Sequence, residues 1–184
     1  VTDRVLTSLN ADILPYLDMA RVEEFKVSSS ADGREVEAWV ALPPDFTADG
    51  SFPMILEIHG GPFSMYGPFF SSEIQRYAAE GYVTVWSNPR GSTSYGEEFA
   101  QLIDKNYPGN DYDDLMSVVD EMVARNYVDP DRLFITGGSG GGILTAWTIT
   151  KTDRFAAAAS IKPVINWMTM GLASDIGVFV NKHW

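Results

Sequence analysis

Residues 137–141 read Gly-Gly-Ser-Gly-Gly and match the pattern G-x-S-x-G, in which a serine stands at a sharp turn between a strand and a helix. An apolar run, residues 132–136 (RLFIT), precedes this segment, and a helical stretch over residues 141–152 follows it. Glycines leave room where side chains would strike the neighbouring elements, so the serine hydroxyl can project into a cleft. The helix that follows directs its free N–H groups towards the turn, which suits an anionic intermediate. We therefore predict that Ser139 is a nucleophile.

A glycine-rich phosphate loop or a plain tight turn is the alternative interpretation of residues 137–141. The segment lacks the Lys-Ser/Thr pair of a P-loop. Its adjacent glycines also do not have the spacing of a dinucleotide-binding fingerprint. The position between strand and helix favours the nucleophile.

A second motif, His59-Gly60-Gly61-Pro62, ends the apolar run of residues 53–59. Glycine at this place lets the main chain approach a substrate carbonyl closely. Because Pro62 has no N–H, we predict that the amides of Gly61 and Gly140 form an oxyanion hole. His59 could be mistaken for a general base. In folds that carry the G-x-S-x-G turn, the general base follows the serine in the chain. His59 precedes Ser139, which favours a positioning role for His59.

The elements around these motifs indicate an α/β fold with a mostly parallel sheet and helices on both faces. An opening hairpin is followed by strands that alternate with helices, and ligands of such sheets bind at the carboxyl ends of the strands. Helix 112–126 has the clearest pattern, with an apolar stripe of Leu115, Val118, Val119, Met122 and Val123. The predicted strands are residues 22–27, 36–42, 53–59, 82–87, 132–136 and 155–160, and the other predicted helices are 71–80 and 141–152.

Composition excludes several classes of function. The formal net charge is −12 and the 13 Lys and Arg residues are scattered, which argues against a nucleic-acid partner. No run of about 18 apolar residues suggests a membrane span, so the chain reads as soluble. There is no cysteine and there are two histidines, so we expect no disulfide, no metal site and no cofactor. The sequence does not distinguish a cytoplasmic from a periplasmic location.

Four motifs in order resemble the catalytic domain of prolyl oligopeptidase-type serine peptidases. They are residues 57–66 (EIHGGPFSMY), 88–99 (NPRGSTSYGEEF), 134–142 (FITGGSGGG) and 152–155 (TDRF). Residues 165–167 (INW) and 174–177 (SDIG) are most similar to the acylaminoacyl-peptidase or dipeptidyl-aminopeptidase-like branch. One departure is Gly140, because many relatives carry Tyr, Asn or His there. The amide survives this change, although three consecutive glycines could make the turn more mobile.

The resemblance implies an α/β-hydrolase fold and a Ser-Asp-His hydrolase that cleaves short peptides or acylated amino acids through an acyl-enzyme on Ser139. It also implies that residues 1–21 connect an N-terminal β-propeller to the hydrolase domain. Residues 22–184 would then be the N-terminal part of that domain, truncated before its last strands. The acid and the histidine would follow further along the chain, and the 184 residues alone would be inactive.

Several alternatives remain open. His183 could be the base, although it lies only 44 positions after Ser139 with no later strand to fix it. Asp175 could be the acid, although its segment resembles a family loop that precedes the acid. Arg90 could fix its loop or contact substrate, and Tyr95 lies in the same loop. A carboxylesterase acting on small acyl esters would use the same machinery. A non-catalytic fragment that pairs with a second copy or a complementing chain at an open sheet edge is the alternative of a different class.

Overall fold

A six-stranded sheet forms the centre of the molecule in the computed structural model, which describes Arg4 and residues 6–184. The strands follow the order β1-β2-β4-β3-β5-β6 across the sheet. The pairs β3/β4, β3/β5 and β5/β6 are parallel, and β1/β2 and β2/β4 are antiparallel. The bounds are β1 (Arg21–Ser28), β2 (Glu35–Leu42), β3 (Phe52–Ile58), β4 (Val83–Asn88), β5 (Val128–Gly138) and β6 (Phe155–Ile161).

Six helices complete the described part of the chain: α1 (Ser72–Ala79), α2 (Glu97–Gln101), α3 (Asp111–Ala124), α4 (Gly140–Thr148), α5 (Trp167–Ala173) and α6 (Gly177–His183). The side chain of Ser71 caps α1 by accepting a hydrogen bond from the Ile74 amide at 3.3 Å. Three aspartates occupy the first turn of α3, where the helix dipole favours negative charge. These sequence features explain where both helices begin.

Two apolar cores lie on opposite faces of the sheet, so helices cover both faces as predicted. The larger core joins β3, β4 and β5 to the predicted stripe of α3, in which four of the five residues are buried and Val123 is partly buried. Fully burying each such side chain contributes about 1.5–3 kcal/mol. The smaller core packs α1 against the β2 and β4 residues of the opposite face, and its members are Ala20, Trp39, Ala41, Ile74, Ala78 and Trp86.

All predicted strands and helices are present, with two notable differences in length. β5 begins at Val128 instead of residue 132, because Val128 pairs with Phe52 across the sheet. α4 ends at Thr148, whereas the pattern predicted a helix to residue 152. The sequence did not predict α2, α5 or α6.

The predicted connector, residues 1–21, is only partly described, since residues 1–3 and 5 lie outside the described residues. Its described part is mostly exposed and contains one short 3-10 turn, Leu14–Tyr16. Its role as a connector stays a prediction. In the part of the chain that the structure describes, no helix has the length and apolar character needed to cross a membrane.

Candidate active site

Ser139 stands at the corner between β5 and α4, where it is exposed. Its backbone has φ 58° and ψ −116°, a strained conformation for a residue with a side chain. Two main-chain hydrogen bonds hold it there: its N–H donates to the Ile161 carbonyl at 2.9 Å, and its own carbonyl accepts from the Ile143 N–H at 3.0 Å. The strain is therefore imposed by β6 on one side and α4 on the other.

Close packing explains which glycines this corner requires. A methyl group on Gly137 would lie 2.6 Å from the Ile58 carbonyl oxygen, and one on Gly141 would lie 2.0 Å from the same atom. A methyl group on Gly138 would meet nothing closer than the Lys162 side chain at 3.7 Å. The two fixed glycines of G-x-S-x-G are thus the positions that β3 approaches, and the first variable position has room for a side chain.

The His59-Gly60-Gly61 turn packs directly against this corner. A methyl group on Gly60 would lie 3.1 Å from Ser139 Cβ and 3.7 Å from the Gly140 nitrogen. One on Gly140 would lie 3.1 Å from the Gly61 nitrogen. The structure therefore brings together the three residues that the sequence singled out, Ser139, Gly61 and Gly140.

The two amides are suited to hold a negative oxygen beside the Ser139 hydroxyl. Gly140 is the first residue of α4, so its N–H has no acceptor inside the helix. Within residues 6–184, no protein acceptor takes the Gly61 N–H either. Donors that are fixed before a charge develops stabilise that charge without reorganisation, which is the basis of an oxyanion hole.

His59 is a buried residue that braces the turn. Its Nδ1 lies 2.7 Å from the Gly60 carbonyl oxygen and its Nε2 lies 2.9 Å from the Ser92 hydroxyl. Burial lowers its pKa, which keeps the ring neutral near pH 7. Both ring nitrogens are occupied by partners other than Ser139, which supports the positioning role.

Arg90 lies in a buried ion-pair network and is 5% exposed. It donates to Asp114 at 2.9 and 2.8 Å, to Asp32 at 3.2 and 3.1 Å, and to Ser29 at 3.2 Å. The hydrogen bonds to Asp114 raise the pKa of Arg90 further. These contacts join the β1–β2 turn to the start of α3, so they favour the interpretation that Arg90 fixes its loop.

Among the described residues, Tyr95 and the two candidates for base and acid make no hydrogen bond to Ser139. The Tyr95 hydroxyl donates to Glu37 and lies 2.7 Å from the Asn88 amide nitrogen. His183 Nδ1 is 2.9 Å from Asp104 Oδ1, and Asp175 is an exposed residue between α5 and α6. Among the described residues, Ser139 Oγ has no hydrogen-bonding partner, so neither candidate is in place to take its proton.

A group of aromatic side chains beside this corner was missed from the sequence. We call it the aromatic cluster. Trp184 lies at its centre, with ring centroids 5.1 Å from Tyr107, 5.6 Å from Phe63, 5.7 Å from Trp167 and 6.1 Å from Phe179. Trp167 and Trp184 are only partly buried, and both pack against the larger core. The resemblance of residues 57–66, 165–167 and 174–177 was the signal that pointed to this region.

Comparison with known proteins shows the family. The prolyl oligopeptidase family matches residues 68–184. The chain belongs to that family. It is 40% identical over 178 residues to the uncharacterized peptidase YuxL of Bacillus subtilis.

Two solved structures of acylaminoacyl peptidases also match. The one from Pyrococcus horikoshii superposes with a TM-score of 0.91 at 33% identity, and the other also gives 0.91, at 34% identity. Both matches cover 98% of the chain, and these comparisons confirm the predicted α/β-hydrolase fold.

The chain spans about a quarter of the length of these relatives. The match covers 96% of this chain but 27% of YuxL, and 29% of each acylaminoacyl peptidase.

Proposed function

We propose that Ser139 is the nucleophile of a serine hydrolase, with the Gly61 and Gly140 amides as its oxyanion hole. The observation that carries the proposal is the exposed, strained Ser139 beside two unpartnered main-chain donors. Attack by Ser139 Oγ on a carbonyl carbon forms the new C–O bond and moves the carbonyl electrons onto oxygen. Collapse of that intermediate expels the amine and leaves an acyl-enzyme, which water then hydrolyses.

The proton of Ser139 needs a base within hydrogen-bonding distance. Since Ser139 Oγ has no such partner among residues 6–184, we propose that the histidine and its acid come from another part of the protein. The described chain then supplies the nucleophile and the oxyanion donors. Alone it would be inactive, because loss of base and acid can cost about 10⁶ in turnover.

Short peptides and acylated amino acids are the substrates that we propose. One of the two acylaminoacyl peptidases was solved in complex with Z-Gly-Gly-Phe-chloromethyl ketone, a blocked peptide ending in an aromatic residue. Next to Ser139 this chain presents the aromatic cluster, which suits an apolar side chain. The bound inhibitor favours a blocked amino end, and the aromatic cluster favours an apolar side chain beside the scissile amide.

The test is labelling of the full-length protein, which would carry the proposed histidine and acid, by a fluorophosphonate probe that reacts with activated serines. Wild type should gain one adduct, located on Ser139 by peptide mass spectrometry. Ser139→Ala should lose the label, while Ser30→Ala, an exposed serine in the β1–β2 turn, should keep it. Undiminished labelling of the Ser139→Ala protein would refute the proposal. Turnover of an N-acetyl peptide anilide, its free-amine counterpart and a simple acyl ester then separates a peptidase from a carboxylesterase.

A further inference from the structure

Tyr107 is a buried residue whose hydroxyl reaches the nucleophile corner from a different loop. It is 8% exposed, and its hydroxyl donates to the Gly140 carbonyl oxygen at 2.9 Å. Burial and the nearby Asp111 carboxylate raise its pKa, so the hydroxyl stays protonated and acts as a donor. A methyl group on Gly140 would lie 3.1 Å from this hydroxyl oxygen. The contact therefore occupies the space that a side chain at position 140 would use.

Gly140 needs such a contact because it has no side chain to hold it. It is the first of three consecutive glycines, and glycine has more backbone freedom than any other residue. Its N–H is one of the two proposed oxyanion donors, which stabilise charge only when they are held in place in advance. The carbonyl before it is fixed by the Ile143 N–H at 3.0 Å, and its own carbonyl accepts from Tyr107. Both peptide groups that flank the Gly140 Cα are thereby restrained.

The other proposed donor connects to the same tyrosine through the aromatic cluster. Phe63, two residues after Gly61, stacks on Trp184 with an interplanar angle of 20°. Trp184 in turn packs on Tyr107 at 5.1 Å. A continuous line of packed rings thus runs from the Gly61 turn to the hydroxyl that holds Gly140.

We propose that Tyr107 is a positioning residue of the oxyanion hole, which restrains the backbone around the Gly140 N–H through a hydrogen bond to the Gly140 carbonyl. This inference rests on the proposed function. The hydroxyl donates to the Gly140 carbonyl and not to Ser139, so we assign it no direct part in the reaction. Its effect therefore falls on the transition state, in which the oxyanion exists, and not on binding of the ground-state peptide.

Tyr107→Phe in the full-length protein is the variant that tests this, since it keeps the ring and removes only the hydroxyl. We expect kcat to fall about tenfold with KM changed less than twofold, a smaller loss than the ~10²–10³ typical when a donor itself is removed. The inhibition constant of a peptide aldehyde, which forms a tetrahedral adduct on serine, should rise in parallel. Binding of the product peptide should stay unchanged. The matched control is Tyr112→Phe, because in the described residues the Tyr112 hydroxyl has no hydrogen bond.

Each outcome decides between the proposed function and the role of Tyr107. If wild type carries no fluorophosphonate adduct on Ser139, the proposed function fails and the role of Tyr107 fails with it. If wild type is labelled and Tyr107→Phe keeps full kcat and aldehyde affinity, only the Tyr107 proposal is overturned. That proposal is also overturned if Tyr107→Phe weakens aldehyde and product equally, or does not fold while Tyr112→Phe does, because the hydroxyl would then be merely structural.

Discussion

Replacement of Gly141 by alanine tests whether close packing, and not flexibility, explains the glycines around Ser139. The added methyl group would lie 2.0 Å from the Ile58 carbonyl oxygen and 2.9 Å from that of His59. Ile58 ends β3, which is paired on both sides by β4 and β5, so this oxygen cannot move away freely. Forcing a methyl group into a packed core costs about 1–3 kcal/mol, and a main-chain obstacle places this case at or above the upper end.

Helix propensity partly offsets this steric cost in the free energy of unfolding of Gly141→Ala. Gly141 is the second residue of α4, where alanine gains up to about 1 kcal/mol over glycine. We therefore expect a net loss of at least about 2 kcal/mol. For a chain of this size that corresponds to a midpoint of thermal unfolding lower by about 4–8 °C.

Gly138→Ala is the matched control, three residues away in the same motif. Its methyl group would have 3.7 Å of clearance from a flexible lysine, and alanine in a strand is favoured over glycine by about 0.5–1 kcal/mol. Circular dichroism melts of the two variants should therefore differ in sign, with Gly138→Ala unchanged or slightly more stable. Equal melting points for Gly141→Ala and wild type would refute the packing argument, and so would a large loss in Gly138→Ala.

Two further predictions concern buried charges. Asp114→Ala leaves Arg90 buried without its main partner and should cost about 3–5 kcal/mol in urea unfolding, whereas the exposed Asp120→Ala should cost less than about 1 kcal/mol. Burial is the main cause that raises the pKa of Glu57 from its ordinary 4.5 to about 7, and the negative charge of Glu73 adds to it. Between pH 4.5 and 7, the folded state therefore keeps a proton that the unfolded state has lost. Wild-type stability should therefore fall as pH rises through this window. Glu57→Gln should gain on wild type there by up to about 1.4 kcal/mol per pH unit, and a constant difference from pH 4.5 to 7 would contradict the shifted pKa.

Local patterns were sufficient for the parts of the fold that a short stretch of chain determines. The stripe of α3 repeats every three to four residues, and four of its five members are buried. The turn that carries Ser139 was recognisable because its glycines, strand and helix are adjacent in sequence. The Gly60-Gly61 turn followed because β3 and β5 are parallel neighbours, which places their carboxyl ends side by side.

The helices that the sequence did not predict lack such local signals. α5 has no buried residue, so it shows no apolar stripe, and α6 buries only Gly177 and Val180. α5 begins with a cap in which Asn166 accepts from the Thr169 amide at 2.9 Å, but asparagine is as common in turns as at helix ends. The short α2 has no buried residue either.

The contacts that restrain the proposed oxyanion hole could not be read from local patterns for a different reason. Tyr107 and Gly140 are 33 residues apart, and the loop that carries Tyr107 contains no motif that points to Ser139. From the sequence, three glycines in a row indicated a mobile corner. The structure instead supports the opposite interpretation, because the glycines are where β3 and Tyr107 approach most closely, and these neighbours supply the restraint that the missing side chains do not. A pattern of glycines marks a place where a chain either bends freely or is packed closely by a neighbour. The surrounding residues decide between these two possibilities.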